Sequence, residues 1–93
     1  MGSNEYEVLA SKLFEEDLAL AVSYYMDRGA ASTARQLLDD YAEMRVVLEA
    51  FPYHGSPIGE TGFRWRRLDA YTVVYEIDDS LRQVILHRMH YRS

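Results

Sequence analysis

Apolar residues in this chain recur at spacings of three and four as far as Phe51 and at spacings of two beyond Phe63, with a Pro/Gly-rich stretch between. A period near 3.6 lines side chains along one stripe of a helix, and a period of 2 lines them on one face of a strand. A chain with a single such switch has few choices. Its helices need a sheet face to cover, and its sheet needs covering.

The helical part divides in two. From Lys12 to about Arg28, the residues Phe14, Leu18, Ala21, Val22 and Tyr25 form one stripe, and Glu15, Glu16 and Asp17 occupy the first turn, where the helix dipole favours carboxylates. Ser11 is a suitable N-cap and Gly29 a suitable residue just past the C-terminus. The second helix is expected from Ser32 or Thr33 to about Phe51, on Ala34, Leu37, Leu38, Tyr41, Met44, Leu48 and Phe51, with Pro52 as its stop. The short link between them predicts an antiparallel helical hairpin.

Ahead of the helices, Tyr6 to Ala10 is a short β-prone run. Pro52 to Thr61 has loop chemistry, with Pro52, Gly55, Pro57 and Gly59. Three strands follow: Phe63–Leu68, then Tyr71–Ile77 in strict alternation, then Leu81–Tyr91, joined by turns at Asp69-Ala70 and Asp78-Asp79-Ser80. The expected fold is α+β, in the order β-α-α-β-β-β, a two-helix hairpin packed on a small antiparallel sheet. Ninety-three residues supply one core, so a single domain over residues 1–93 is expected.

Several function classes drop out. There is no cysteine, which excludes disulfides, cysteine-ligated zinc and thiol nucleophiles and suits a reducing cytoplasm. The apolar runs are short, and Met1-Gly2-Ser3-Asn4-Glu5 has no basic n-region, so neither a membrane span nor a signal peptide is expected. Gly-rich phosphate loops, zinc-binding His-Glu-x-x-His and a serine nucleophile elbow are absent. His87 and His90 are an odd number of residues apart, which in a regular strand sets them on opposite faces, so no metal and no cofactor are expected.

The net charge of -5 speaks against a protein that simply coats nucleic acid. That charge is unevenly spread. Residues 1–60 carry eleven acids against Lys12, Arg28, Arg35 and Arg45, a balance of -7, and residues 61–93 carry four acids against six arginines, a balance of +2. Either the C-terminal third meets an anion, or the helices merely carry the solvated carboxylates. Arg64, Arg66 and Arg67 lie on one predicted strand, and Arg88, His90 and Arg92 on the last, where regular alternation puts them on one face. Guanidinium forks bind phosphate, histidine moves protons, and Trp65 or Tyr91 can stack on a base. The plainer reading is an edge strand protected by charge.

The succession Tyr6-x-Val8, Phe14-Glu15-x-Asp17-Leu18, Leu48-x-x-Phe51-Pro52 and Tyr71-x-Val73-x-Tyr75 resembles the RelE/ParE toxin superfamily over nearly the whole chain. The resemblance implies the toxin of a type II toxin–antitoxin module, neutralised by a cognate antitoxin that wraps it. RelE-like members cleave mRNA on the ribosome, and ParE-like members poison DNA gyrase without catalysis.

The C-terminal third, with Gly62-Phe63-x-x-Arg66-Arg67, Val74-Tyr75, Asp78-Asp79-Ser80-Leu81 and Arg88-x-His90-Tyr91, is similar to the YoeB branch of ribonucleases. The N-terminal half is as similar to the ParE and plasmid-stabilisation branch. The YoeB-like resemblance implies His90 and Tyr91 as a terminal catalytic pair, Glu60 as the catalytic glutamate and Arg67 as a phosphate ligand; the basic cluster itself adds Arg64, Arg66, Arg88 and Arg92 as candidate phosphate or RNA contacts. In that reading a base deprotonates the RNA 2′-OH, and the arginines stabilise the charge that develops on phosphorus. Thr72, however, stands where that branch has a catalytic arginine, and Pro52–Thr61 contains no lysine. The leading expectation is a metal-independent, ribosome-dependent mRNA endoribonuclease. A gyrase poison and an inactive, antitoxin-bound member are the alternatives, so whether the chain is an enzyme stays open.

Overall fold

The structure, a computed structural model, describes residues 5–92; residues 1–4, which include the Gly2-Ser3 pair, and residue 93 lie outside the described residues. Strand β1 (Glu7–Ala10) leads into α1 (Lys12–Asp27) and α2 (Ala31–Ala50). After a 3-10 turn at Pro52–His54 come β2 (Ser56–Pro57), β3 (Phe63–Leu68), β4 (Tyr71–Asp78) and β5 (Gln83–Tyr91).

Local chemistry explains most of the boundaries. Ser11 Oγ accepts the Phe14 N–H at 3.1 Å, an N-cap that starts α1 directly after β1. Gly29 takes a φ of 71° and turns the chain into α2. That second helix begins at Ala31, slightly before the expected Ser32, and Ala30 ahead of it gives no side-chain cap.

The sheet order is β1-β5-β4-β3-β2. Strands β2 to β5 pair antiparallel, as short turns require, while β1 joins β5 in parallel with Val8 opposite Val84. The five-stranded sheet is therefore mixed. The helical hairpin covers one face, and Val8, Phe14, Leu37, Met44, Leu48, Val73, Tyr75, Val84 and Leu86 meet there as the core. Of the expected α2 stripe, Leu38 and Phe51 stay exposed, because the helix turns them past the edge of that core.

The Pro52–Thr61 segment is more ordered than loop chemistry suggests. The buried Tyr75 hydroxyl donates to the Pro52 carbonyl and accepts the Gly55 N–H, both at 2.8 Å, and this lets Ser56 and Pro57 form the two-residue strand on β3. Among the described residues, no helix is long and apolar enough to cross a membrane.

Candidate functional site

The helices leave one face of the sheet open. Along β4, Tyr71, Val73 and Tyr75 are buried beneath the helices, so Thr72, Val74 and Glu76 point to the open side. Directly paired residues share a face. Arg67 pairs with Thr72, which pairs with His90, giving a row of three across β3, β4 and β5. With strands about 4.8 Å apart, the ends of this row lie about 10 Å from each other. Trp65, on the same face of β3 and opposite Val74, is 39% exposed.

Strand β5 is not regular. Val74 pairs with Arg88 and Tyr75 with Leu86, so His87 is an extra residue at a bulge. The alternation slips by one there, and Leu86 and Met89 are both buried although they are three apart. This corrects the expected split of the strand. His87 and His90 both reach the open face, where His87 Nε2 meets Glu76 Oε1 at 2.8 Å and the ring packs edge-on against Phe63. The argument that put the two histidines on opposite faces therefore fails. Even so, among the described residues no group of three or more His, Cys, Asp or Glu could hold a metal ion.

Arg88 pairs with Val74 and so starts from the open face with His90, as alternation requires, but its side chain does not stand free beside the histidine. Its Nε and Nη2 donate to the two oxygens of Asp17 on α1 at 2.8 and 3.2 Å, and Asp17 Oδ2 also accepts the Met89 N–H at 2.9 Å. These charge-assisted bonds hold the Asp17 carboxyl below the usual carboxylate range, chiefly through Arg88, and raise the Arg88 guanidinium in turn. Asp17 and Ser11, which donates to the His87 carbonyl at 3.0 Å, occupy the edge of β5 that β1 leaves uncovered beyond Leu86.

The other expected site residues are dispersed. Tyr91 pairs with Tyr71 on the helix side, its ring 5.6 Å from the Tyr71 ring, so it faces away from His90. Glu60 is exposed in the turn between β2 and β3. Arg64 lies on the helix side of β3, where Nε donates to the Gly55 carbonyl at 3.0 Å and the guanidinium covers the Tyr53 ring. Arg66 is on that side too, with Nε donating to the Arg67 carbonyl. Arg92 follows the end of β5, its N–H bound to the Ala70 carbonyl at 2.8 Å. The structure thus sets Arg67 and His90 in one row and separates both from Tyr91, Arg64 and Glu60, while Arg88 is tied to Asp17. It adds Glu76 and His87, which strict alternation could not reveal because the bulge carries no sequence signal of its own.

A cavity of about 400 Å³ opens beside α1, lined by Leu20, Tyr24, Tyr71, Met89 and Tyr91 with Asp17 at its margin. Leu20 is 70% exposed there.

Residues 8–92 match the family described as the ParE toxin of the type II toxin–antitoxin system parDE. The fold also matches solved structures. A chain of the chromosomal ParDE toxin–antitoxin system of P. aeruginosa superposes with a TM-score of 0.80 at 15% identity, covering 98% of this chain and 100% of that one. A chain of the archaeal RelE–RelB complex of Pyrococcus horikoshii gives 0.74 at 18% identity over 96% and 97%. A chain of the RelBE2 complex of Mycobacterium tuberculosis gives 0.64 at 23% over 95% and 99%. At these identities the likeness is one of fold. No curated protein sequence matches the chain significantly.

Proposed function

The chain belongs to the ParE toxin family of type II toxin–antitoxin systems, and from that premise we propose that it poisons DNA gyrase by binding, without hydrolytic chemistry of its own. It is the toxin of such a module, and its partner there is a cognate antitoxin. The observation that carries the gyrase reading is the separation of His90 from Tyr91. Paired strands put His90 beside Thr72 on the open face and Tyr91 beside Tyr71 on the helix side. General acid–base cleavage needs its groups within hydrogen-bond reach of one phosphate. The remaining groups do not restore that convergence, since Arg88 is held by Asp17 and Glu60 lies out on the β2–β3 turn.

In this reading the row Arg67–Thr72–His90 with Trp65 is the contact surface for the target, because it combines an arginine and an aromatic ring on an uncovered face. Purified protein should inhibit supercoiling by gyrase and trap cleaved DNA, and its induction should raise the DNA-damage response with transcripts intact. Arg67→Ala should weaken inhibition about tenfold or more, as loss of an interface arginine commonly does. Codon-phased mRNA cleavage on induction, with gyrase unaffected, would sink the proposal.

One observation favours a second reading, the ribosome-dependent mRNA endoribonuclease. The Glu76–His87 contact at 2.8 Å lies on the same face as Arg67 and His90 and orients an imidazole as a carboxylate orients a general base. There His87 or His90 would take the 2′-OH proton and Arg67 would stabilise the charged phosphorus centre. Mapping of mRNA 5′ ends separates the two readings, and absence of any phenotype without the antitoxin would point to an inactive member.

A further inference from the structure

The open face of the sheet grades from basic to acidic along its strands. At one end stands the row Arg67–Thr72–His90, with Arg92 just beyond β5. Towards the other end Glu76 pairs with Ile85, and Asp78 pairs with Gln83, which pairs in turn with Glu7. Paired residues share a face, so Glu7, Glu76 and Asp78 gather there. Around and between the two ends the face is apolar, from Phe63 and Trp65 on β3 through Val74 and Ile85 to Leu9 on β1. Trp65 is 39% exposed and Leu9 37%.

Neither end is neutralised within the fold. Arg67 borders a small cavity with Asp40, Glu43 and Asp69, yet its guanidinium enters no ion pair among the described residues. Glu76 meets His87 at 2.8 Å but its side chain stays 46% exposed. Asp78 Oδ1 accepts the Leu81 N–H at 3.0 Å, which caps the turn and leaves the carboxylate charged. Arg82 lies over the Tyr6 ring, which packs against the core on the helix side. The sheet edges are poorer places for association than this face. Strand β2 has two residues, one of them Pro57, and on β1 the Val8 carbonyl accepts Arg45 Nη2 at 2.7 Å.

We propose that two copies of this chain pair face to face through this surface, about a twofold axis that crosses the strands at Val74. Such a rotation turns the sheet over and exchanges its ends, so the basic end of each copy covers the acidic end of the other. Val74 lies midway between Thr72 and Glu76 on β4, which sets Arg67 of each copy against Glu76 of the other. The two Trp65 rings, level with Val74, meet near the axis. Charge identifies the occupant: a face with opposite signs at its two ends and an apolar middle complements itself under this operation. Size sets the strength. Five strands about 4.8 Å apart, over about six residues of about 3.4 Å, make a face about 20 Å on a side. That is at the low end for specific interfaces, so the dimer should dissociate in the micromolar range. Its consequence rests on the gyrase reading above, because pairing covers Arg67, Thr72, His90 and Trp65 and so occludes the target contacts.

Sedimentation velocity on the intact chain tests the pairing directly. Wild type should pass from monomer to dimer between about 1 and about 100 μM. Its dissociation constant should rise about tenfold from about 0.05 M to about 0.5 M salt. Trp65, the single tryptophan, should shift its emission to the blue as the dimer forms. A wild type that stays monomeric throughout overturns the proposal. Arg67→Glu and Glu76→Lys should each be monomeric, since each sets like charges together twice. Mixed in equal amounts they should form a one-to-one dimer, because both contacts then join opposite charges. A mixture that stays monomeric overturns the proposal, as does a dimer that survives in both variants and is lost in Leu20→Glu. In a supercoiling assay at a concentration that pairs about two thirds of the wild type, about threefold more wild type than Glu76→Lys should be needed. Equal requirements overturn the occlusion. If neither protein inhibits gyrase at any concentration, the gyrase reading falls, and sedimentation still decides the dimer.

Discussion

Tyr75 shows how much a single side chain organises here. It is fully buried, and its hydroxyl joins the Pro52 carbonyl to the Gly55 N–H. Tyr75→Phe leaves both backbone groups without that partner, and should cost about 2 kcal/mol in urea denaturation. Gly55 is close by for a steric reason: a Cβ there would sit 2.5 Å from the Trp65 carbonyl oxygen and 2.6 Å from the Tyr75 hydroxyl. Gly55→Ala should therefore destabilise by about 2–3 kcal/mol, since backbone and a buried ring must both yield. Strand alternation alone marked Tyr75 as an inward residue. What its hydroxyl binds lay twenty residues away in the chain, beyond the reach of any local pattern. The same limit applied to His90, whose place in one row with Arg67, across Thr72, is visible only once β3, β4 and β5 are in register.

Among the elements, β5 departs most from its pattern and matters most to the site. The bulge at His87 moves that residue onto the open face, leaves Met89 in the core and sends Arg88 to α1. Asp17 is the other half of this arrangement, because it anchors α1 to the uncovered edge of β5 through three hydrogen bonds. Asp17→Asn weakens all of them and should lower the melting temperature by about 5 °C or more. The pH dependence has a definite sign. Asp17 is depressed in the folded state, so its contribution is present above the ordinary carboxylate range and is lost as the pH falls through the depressed value. Wild type and Asp17→Asn should therefore converge in stability in acid, which melting curves down to about pH 3 would show. The helices were the most legible elements, since their stripes and the Ser11 cap act within a few residues. The bulge was not, because it reflects a compromise between β4 pairing and the anchoring to α1.

For the whole molecule, the decisive contact is the parallel pairing of β1 with β5. Val8 meets Val84 after 76 intervening steps of chain, and Val8 is 3% exposed. Closing so long a loop is entropically costly, so this pairing should form late in folding. Val8→Ala should then mainly accelerate unfolding, with a φ-value below about 0.3; a value near about 1 in chevron measurements would place β1 in the folding nucleus instead. The sequence by itself determined the α+β class, the order of the elements and the helix-covered core residues, because periodicity and capping are local properties of the chain. It also carried the resemblance that the family match bears out. Only the tertiary structure decided which arginines stand free for a partner and which are bound within the fold. It alone showed that His90 and Tyr91, adjacent in the chain, face opposite sides of a sheet, and that His87 joins His90. Those outcomes depend on cross-strand register and on one extra residue in β5, which packing over the full length of the molecule sets.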